Sequence, residues 1–280
     1  MDSYYIFLSL LLLLISSANS LHFKISPSDQ NSQDTIIALQ GDALRISSSS
    51  SLTPTSGIVE MINKFTFLCR VGWATYPASV PLWDSTTGKL ADFTTSFSFT
   101  IDTGNMSTYG HGLTFFLAPA GYQIPPNSAG GFLGLFNTTT ADGIGGDHHH
   151  HQYSTSGSNQ LVHVEFDSFS NPEWDPPTEH VGINVNSIAS SVYTPWNASL
   201  HSTDNVLVSI SYDSKAKNLK VDWSYEKSSV YKESVTSLSY KIDLSKVLPQ
   251  WVTMGFSAAT GLYGARHRLN SWEFNFTLDI

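Results

Sequence analysis

Hydrophobic and polar residues alternate along much of the chain, which is the pattern of β-strands with one buried face. Residues 96–101 alternate serine or threonine with phenylalanine or isoleucine, and residues 162–167 alternate valine or phenylalanine with polar side chains. Residues 205–226 contain two such runs around a polar turn, which predicts an antiparallel hairpin. Nearly uninterrupted apolar runs in residues 113–119 and 132–136 predict strands that are buried on both faces.

Helical patterns are sparse, and the best candidate is one short turn in residues 244–249. Neither a linker nor an internal repeat divides the chain. We therefore predict a single all-β domain made of two packed antiparallel sheets.

Residues 138–160 have few hydrophobic side chains and are predicted to form a long mobile loop. The four histidines at 148–151 lie in that loop, and we interpret them as an opportunistic rather than a physiological metal site.

The first residues of the chain have the pattern of a secretory signal. Residues 6–15 are apolar apart from Ser9, and small residues follow at Ala18 and Ser20. The run is too short for a bilayer span, which takes about 20 residues. We predict a cleaved signal peptide over residues 1–20 and a secreted mature domain over residues 21–280, with no membrane span.

The composition of the chain bears on whether it binds nucleic acid and on whether disulfides stabilise it. The formal net charge is −9 and the basic residues form no cluster, which argues against a nucleic-acid partner. Cys69 is the single cysteine, so the chain has no internal disulfide framework. It lies in an apolar run and is predicted to be buried in the core. Four glycosylation sequons support the secretory route and place their loops at the surface: Asn105, Asn137, Asn197 and Asn275.

Residues 165–180 concentrate five acidic side chains and a histidine in a chain that is only 13% charged. On a strand, Glu165 and Asp167 project from the same face about 6.5–7 Å apart. Pro172 ends the strand because it cannot donate a ladder hydrogen bond, and the chain can then return Asp175 toward Asp167. His180 follows, just before another alternating run.

These ligand types point to a pair of metal ions. Two carboxylates, an amide oxygen and a backbone carbonyl form the oxygen-rich shell that calcium prefers. Glu165 and His180, with Asp167 and Asp175 shared, suit a neighbouring transition metal such as manganese. Bound cations would also offset the repulsion between crowded carboxylates. The alternative is a solvated acidic loop without ions.

The acidic stretch, residues 164–188, resembles the metal-binding signature of the legume lectin (L-type lectin) domain. Further similarity covers nearly all of the mature chain: residues 71–84, 93–102, 111–119, 130–137, 251–261 and 271–274. The chain is also similar to the extracellular domains of plant lectin receptor kinases. It ends at Ile280 without a membrane span or kinase domain, so we expect a soluble relative.

The resemblance implies a jelly-roll β-sandwich with a large back sheet, a curved front sheet and a shallow sugar site between loops at one end. It implies Ca²⁺ and Mn²⁺ as cofactors. The transition metal would take Glu165, Asp167, Asp175 and His180. Calcium would take Asp167, the backbone oxygen of Phe169, Asn171 and Asp175.

The resemblance also implies which residues contact sugar. Asn171 would donate its amide to a sugar hydroxyl, and Phe169 would pack against the pyranose ring. Gly131 would donate its backbone N–H, with no side chain to block the approach. Leu262 and Tyr263 would lie in the loop that adjusts specificity.

His111 is the departure from the family pattern, which has an aspartate at this position after a cis peptide bond. A carboxylate offers two charged acceptor oxygens, whereas a neutral imidazole offers one acceptor and one donor. His111 either alters specificity, with a pH dependence near its reference pKa of about 6.5, or marks the loss of ordinary monosaccharide binding. We favour altered or weakened binding. Since a non-proline cis bond costs about 3 kcal/mol, a trans Gly110–His111 bond is an alternative.

Two other classes of function compete with a lectin. A glycoside hydrolase would need one of the paired carboxyls kept protonated by apolar surroundings, and the polar setting of Glu165 and Asp167 argues against it. A lectin fold could instead serve a hydrophobic-ligand, storage or interaction role. We predict a non-enzymatic lectin that binds glycans or glycoproteins, is secreted to the apoplast or vacuole, and forms a homodimer or tetramer. The sequence does not select the glycan.

Overall fold

A computed structural model describes residues 18–27, 36–46, 58–64, 66–137, 159–226 and 235–279. Within these ranges the chain forms sixteen strands and two single-turn 3₁₀ helices. The strands are β1 (Ala18–Ile25), β2 (Ala38–Gly41), β3 (Leu44–Arg45), β4 (Val59–Ile62), β5 (Val71–Thr75), β6 (Val80–Pro81), β7 (Asp92–Asp102), β8 (Gly112–Pro119), β9 (Val162–Asp167), β10 (His180–Val185), β11 (Val192–Pro195), β12 (Asn205–Asp213), β13 (Asn218–Glu226), β14 (Thr236–Lys241), β15 (Trp251–Ala259) and β16 (Arg266–Asp279).

The strands form two eight-stranded antiparallel sheets that pack as a sandwich. The back sheet has the order β14-β13-β12-β7-β16-β4-β3, and β1 also pairs with β16. The front sheet has the order β11-β10-β9-β8-β15-β5-β2, and β6 also pairs with β15. The predicted all-β sandwich is confirmed, as is the predicted hairpin, which is β12 and β13.

Aromatic side chains from both sheets meet in the layer between them. Phe97 on β7 lies 4.8 Å from Phe256 on β15, and Phe99 lies 4.8 Å from Phe166 on β9, measured between ring centroids. Trp272 on β16 contacts Phe256 at 5.0 Å. The period-two pattern of β7 places these rings inward, because successive side chains of a strand point to opposite faces.

The two 3₁₀ helices span Gly130–Phe132 and Leu244–Lys246. The second confirms the predicted turn in residues 244–249, and the Asp243 side chain caps it by accepting the Ser245 N–H. Within the part of the chain that the structure describes, no helix is long and apolar enough to cross a lipid bilayer.

The prediction of a strand over residues 132–136 is wrong. This segment forms 3₁₀ and turn structure, in which Leu133 has φ 51° and donates its N–H to the Gly130 carbonyl. Leu135 and Phe136 pack with Trp73 in a second apolar cluster, separate from the main core. The apolar run correctly signalled burial, but burial without periodicity does not specify an extended backbone.

The prediction that Cys69 is buried is also wrong, because the thiol is exposed. Strand β5 begins only at Val71, and Cys69 precedes it in a left-handed conformation with φ 53°. Its N–H donates to the Gly261 carbonyl at 2.9 Å. The backbone of Cys69 therefore joins another loop, while its side chain lies outside the core.

Several other predictions concern the chain ends and surface. Strand β1 begins at Ala18, inside the predicted signal peptide, whose boundary stays a prediction. The histidines at 148–151 and most of the predicted mobile loop lie outside the described residues. Asn105, Asn197 and Asn275 are exposed and Asn137 is half-buried, but Asn275 lies in β16 rather than in a predicted loop.

Candidate functional site

Two adjacent strands of the front sheet bring the acidic stretch together. Asp167 on β9 pairs with His180 on β10, and both side chains are buried. Glu165 projects from the same face of β9, and its Oε1 lies 3.0 Å from the Nε2 of His180. Ligand atoms of these three residues all lie within 4.8 Å of one another. Gly182 opposite Glu165 leaves room for this cluster, because a Cβ there would meet the Glu165 carboxylate at 2.7 Å.

The loop after β9 is held by its own carboxylates. The Phe169 N–H donates to Asp167 Oδ1 at 2.7 Å, and the Asn171 N–H donates to Asp175 Oδ2 at 2.7 Å. The Asp175 N–H returns a hydrogen bond to the Asn171 carbonyl at 2.8 Å. Asp175 lies outside the 4.8 Å cluster formed by Glu165, Asp167 and His180. Loop and cluster nevertheless share one electrostatic environment, because the Asp175 charge acts on Asp167.

Burial, together with the crowding of acids, raises the pKa values of both aspartates at this site. Burial and the charges of Asp175 and Glu165 raise the pKa of Asp167 well above its usual range. Burial and the Glu165 charge raise the pKa of Asp175 to about 7. Burial opposes ionisation of Glu165, but hydrogen bonding to His180 and the nearby His163 hold the pKa of its carboxyl below the usual value. In the absence of a cation, the carboxylates of Asp167 and Asp175 are therefore neutralised by bound protons.

Two neighbours of this cluster were not singled out in the sequence. The Ser190 hydroxyl donates to Glu165 Oε1 at 2.6 Å, and His163 Nδ1 lies 4.0 Å from the second oxygen, Oε2. The period of two along β9 places His163 on the same face as Glu165, so the position of His163 beside the cluster could have been predicted from the sequence. Ser190 follows a separate strand, and no sequence spacing connects it to Glu165.

A cavity of about 300 Å³ opens beside the loop that follows β9. Five of the six residues predicted to contact sugar line it, together with one residue from the turn before β5. Its lining is Cys69, His111, Ala129, Gly130, Phe169, Asn171, Gly261, Leu262 and Tyr263. Leu262 and Tyr263 are exposed at 78% and 43%, so they form the rim.

His111 is fixed by its backbone at the floor of the cavity. Its N–H donates to the Ala259 carbonyl, and its own carbonyl accepts the Ser168 N–H, both at 2.8 Å. The Gly110–His111 peptide bond is cis, so the trans alternative is wrong. The imidazole lies 4.6 Å from the Phe169 ring, which in turn stacks on Tyr263 at 5.6 Å. The three rings form one continuous wall.

Burial lowers the pKa of His111 to about 4, although interaction with the Asn171 side chain opposes this shift. The ring is therefore neutral near pH 6.5, and the expected pH dependence moves to about pH 4. Among the described residues, Nδ1 of this ring has no hydrogen-bond partner.

Gly131 packs against the Asn171 side chain and directly follows Gly130, which lines the cavity. A Cβ on Gly131 would approach Asn171 Oδ1 to 2.2 Å and the Trp174 ring to 2.8 Å, so only glycine fits here. Asn171 Oδ1 is buried and, within the described part of the chain, accepts no hydrogen bond. Trp174, which was not predicted, holds this side by stacking on Phe132 at 5.6 Å.

Comparison with known proteins identifies the family. The model of the legume lectin domain matches residues 20–280. The chain belongs to the legume lectin domain family. The lectin domain is 51% identical to the L-type lectin-domain containing receptor kinase IX.1 of Arabidopsis thaliana over 87% of the chain and 34% of that relative. It is 39% identical to Lectin 7 of Medicago truncatula over 94% of the chain and 91% of that relative.

A solved structure agrees with this assignment. Lectin II of Ulex europaeus, determined in complex with galactose, superposes with a TM-score of 0.72 at 33% identity, covering 92% of the lectin domain and 98% of that chain. The lectin domain spans about a third of the length of the receptor kinase. Since the matched family model is a lectin domain and the solved structure that superposes on it is a lectin, the prediction of a non-enzymatic domain is confirmed.

Proposed function

We propose that this lectin domain binds carbohydrate in the cavity at His111 and that Ca²⁺ and Mn²⁺ stabilise the binding loop. The main support is the loop after β9, which links the two sites. Asp167 at its start belongs to the acidic cluster, and Phe169 and Asn171 line the cavity. Any ion that fixes the loop therefore also fixes two residues of the cavity wall.

The donor set fits the two ions. Asn171 offers a buried oxygen that no described group satisfies. The raised pKa values of Asp167 and Asp175 result from burial and from neighbouring negative charge, and a cation would compensate both effects. Hard oxygen ligands suit calcium, and one imidazole among carboxylates suits manganese. In this proposal Ca²⁺ is held by Asp167, the Phe169 carbonyl, Asn171 and Asp175. Mn²⁺ is held by Glu165, Asp167, Asp175 and His180.

With Asn171 Oδ1 directed to calcium, its amide is left to donate to a sugar hydroxyl. Phe169 offers an apolar face to a pyranose ring, and the Gly131 N–H supplies a second donor. Leu262 and Tyr263 at the rim contact the substituents that distinguish one glycan from another. His111 replaces a carboxylate acceptor with a neutral ring, so specificity is altered and binding of simple hexoses is weakened by about tenfold or more.

Secretion and assembly complete the proposal. Residues 1–20 act as a cleaved signal peptide, and the domain over residues 21–280 enters the apoplast or vacuole with sugars on one or more of its sequons. Its partners are glycans or glycoproteins, and pairing through the back sheet gives a homodimer or tetramer. Intact-mass measurement of the secreted protein tests the cleavage and glycosylation.

A glycan array with the mature domain, run with Ca²⁺ and Mn²⁺ and again with EDTA, tests the central claim. We expect metal-dependent binding, lost in Asn171→Ala and retained in Asn197→Gln, an exposed residue that does not line the cavity. Cys69, the only cysteine, lies in the cavity wall and reports occupancy, since a bound glycan should slow its labelling by maleimide. Binding that persists in EDTA, or that leaves Cys69 labelling unchanged, would contradict the proposal.

A hydrophobic ligand is the second candidate for the same cavity. Phe169, Leu262 and Tyr263 present apolar surface there, and the lining residues that the structure describes include no aspartate, glutamate, lysine or arginine. An apolar fluorescent probe that binds with micromolar affinity, is not displaced by any arrayed glycan and protects Cys69 would favour this candidate.

A further inference from the structure

We propose that the cavity prefers a saccharide whose buried edge carries alkylated or acylated oxygens, such as O-methyl or O-acetyl groups, over one with free hydroxyls. This inference rests on the proposed function, because it assumes that the cavity at His111 holds the sugar. It concerns the hydrogen-bonding character of the cavity, which contains few acceptors and much apolar surface.

The side chains of the cavity offer few hydrogen-bond acceptors. Among the described residues that line the cavity there is no carboxylate, and an imidazole is never anionic in either protonation state. His111 therefore supplies at most one acceptor nitrogen. Asn171 contributes mainly its donating amide, since its oxygen is directed to calcium in the proposed complex. A free sugar hydroxyl must donate as well as accept, so burying several of them here leaves hydrogens unpaired.

Backbone acceptors near the floor are already engaged. The Gly130 carbonyl accepts the Leu133 N–H at 3.0 Å, and the Gly261 carbonyl accepts the Cys69 N–H at 2.9 Å. The Thr260 carbonyl accepts the Gly130 N–H at 2.9 Å. An ether or ester oxygen accepts without donating, so it can use the donors of this site without leaving a proton unpaired.

The walls offer the complementary surface for a methyl group. Phe169 lies between His111 and Tyr263, tilted against the first ring and stacked on the second. Leu262 extends from the rim with 78% of its surface exposed. Burying one methyl group against such surface favours binding by about fourfold. The cavity volume of about 300 Å³ is at the small end for ligand sites, which suits one sugar ring with small substituents.

Matched sugar pairs test the inference. Methyl hexopyranosides with free hydroxyls are compared with derivatives carrying one O-methyl group at each ring position in turn, using the domain loaded with Ca²⁺ and Mn²⁺. We expect at least one O-methyl derivative to bind about tenfold more tightly than its parent and to protect Cys69 from maleimide. His111→Asp should reverse this preference, because it restores two charged acceptors. His111→Asn, which is uncharged, should retain it.

The outcomes separate the inference from the function on which it rests. Parent sugars that bind as well as or better than all their O-methyl derivatives, with Cys69 protected, would overturn the inference and leave the lectin function standing. Absence of binding for both members of every pair, with Cys69 unprotected, would overturn both. If the His111 variants fail to fold, the sugar pairs measured on the wild-type protein alone decide between these outcomes.

Discussion

Replacing Asp175 with asparagine should stabilise the metal-free protein at neutral pH and abolish its stabilisation by metal. The pKa of Asp175 rises from 3.8 to about 7 in the folded chain, because the carboxyl is partly buried near Glu165. Between these two pH values the folded protein holds a proton that the unfolded chain has released. This contribution to stability is therefore complete below about pH 4 and is lost as the pH rises to about 7.

The magnitude follows from the rise in pKa. At 1.36 kcal/mol for each pH unit, the change from 3.8 to about 7 corresponds to a loss of at most about 4 kcal/mol of folding free energy. Solvent screening at this half-buried group reduces that value. For a domain of this size, about 4 kcal/mol shifts the melting temperature by roughly 10 °C. Asparagine does not titrate, so this pH-dependent loss of stability is absent from the variant. Because asparagine is neutral, it also removes the charge repulsion by which Asp175 raises the pKa of Asp167.

Thermal unfolding in EDTA from pH 4 to pH 8 measures this effect. The melting temperature of the wild type should fall relative to Asp175→Asn as the pH rises, and Glu173→Gln, an exposed acid in the same loop, is the matched control. With Ca²⁺ and Mn²⁺ the wild type should instead gain stability with rising pH, because metal binding requires the deprotonated carboxylates. Parallel pH profiles for wild type and Asp175→Asn in EDTA would refute the reasoning.

Three further changes probe the same region. Gly131→Ala should abolish calcium and sugar binding in titration calorimetry, because its Cβ would lie 2.2 Å from Asn171 Oδ1; unchanged affinity would contradict this. Ser190→Ala removes the 2.6 Å hydrogen bond to Glu165 and should weaken manganese binding by about 10- to 100-fold. Calcium affinity is the control, and equal losses for both ions would point to a general disruption. At Ca²⁺ and Mn²⁺ concentrations that keep the metal sites saturated across the pH range, sugar binding should show no inflection near pH 6.5, because the pKa of His111 is about 4; an inflection there would count against a neutral ring.

The acidic cluster was predictable because strand geometry is regular. A period of two places Glu165 and Asp167 on one face, and a return strand brings His180 beside Asp167. Ser190 could not be found in this way. It reaches Glu165 through the path of a loop after β10, which depends on the folded backbone rather than on residue spacing.

Apolar runs were a weaker guide to conformation. Residues 113–119 lie in β8, but residues 132–136 form 3₁₀ and turn structure in a second apolar cluster. Cys69 follows apolar neighbours yet is exposed, and it has a left-handed backbone conformation just before β5 begins. Hydrophobicity reports the free energy of burial and does not fix the backbone angles that decide where a side chain points.

The pairing of β1 with β16 determines how the domain can be attached to anything else. Ala18 lies opposite Asp279, so the start of β1 and the end of β16 lie side by side in the back sheet. Arg266, at the other end of the fourteen-residue β16, follows directly after the loop that carries Leu262 and Tyr263. At about 3.4 Å per residue this strand separates the two ends by roughly 45 Å. A tether, tag or solid support joined after Asp279 would therefore attach at the end of β16 that is far from Leu262 and Tyr263.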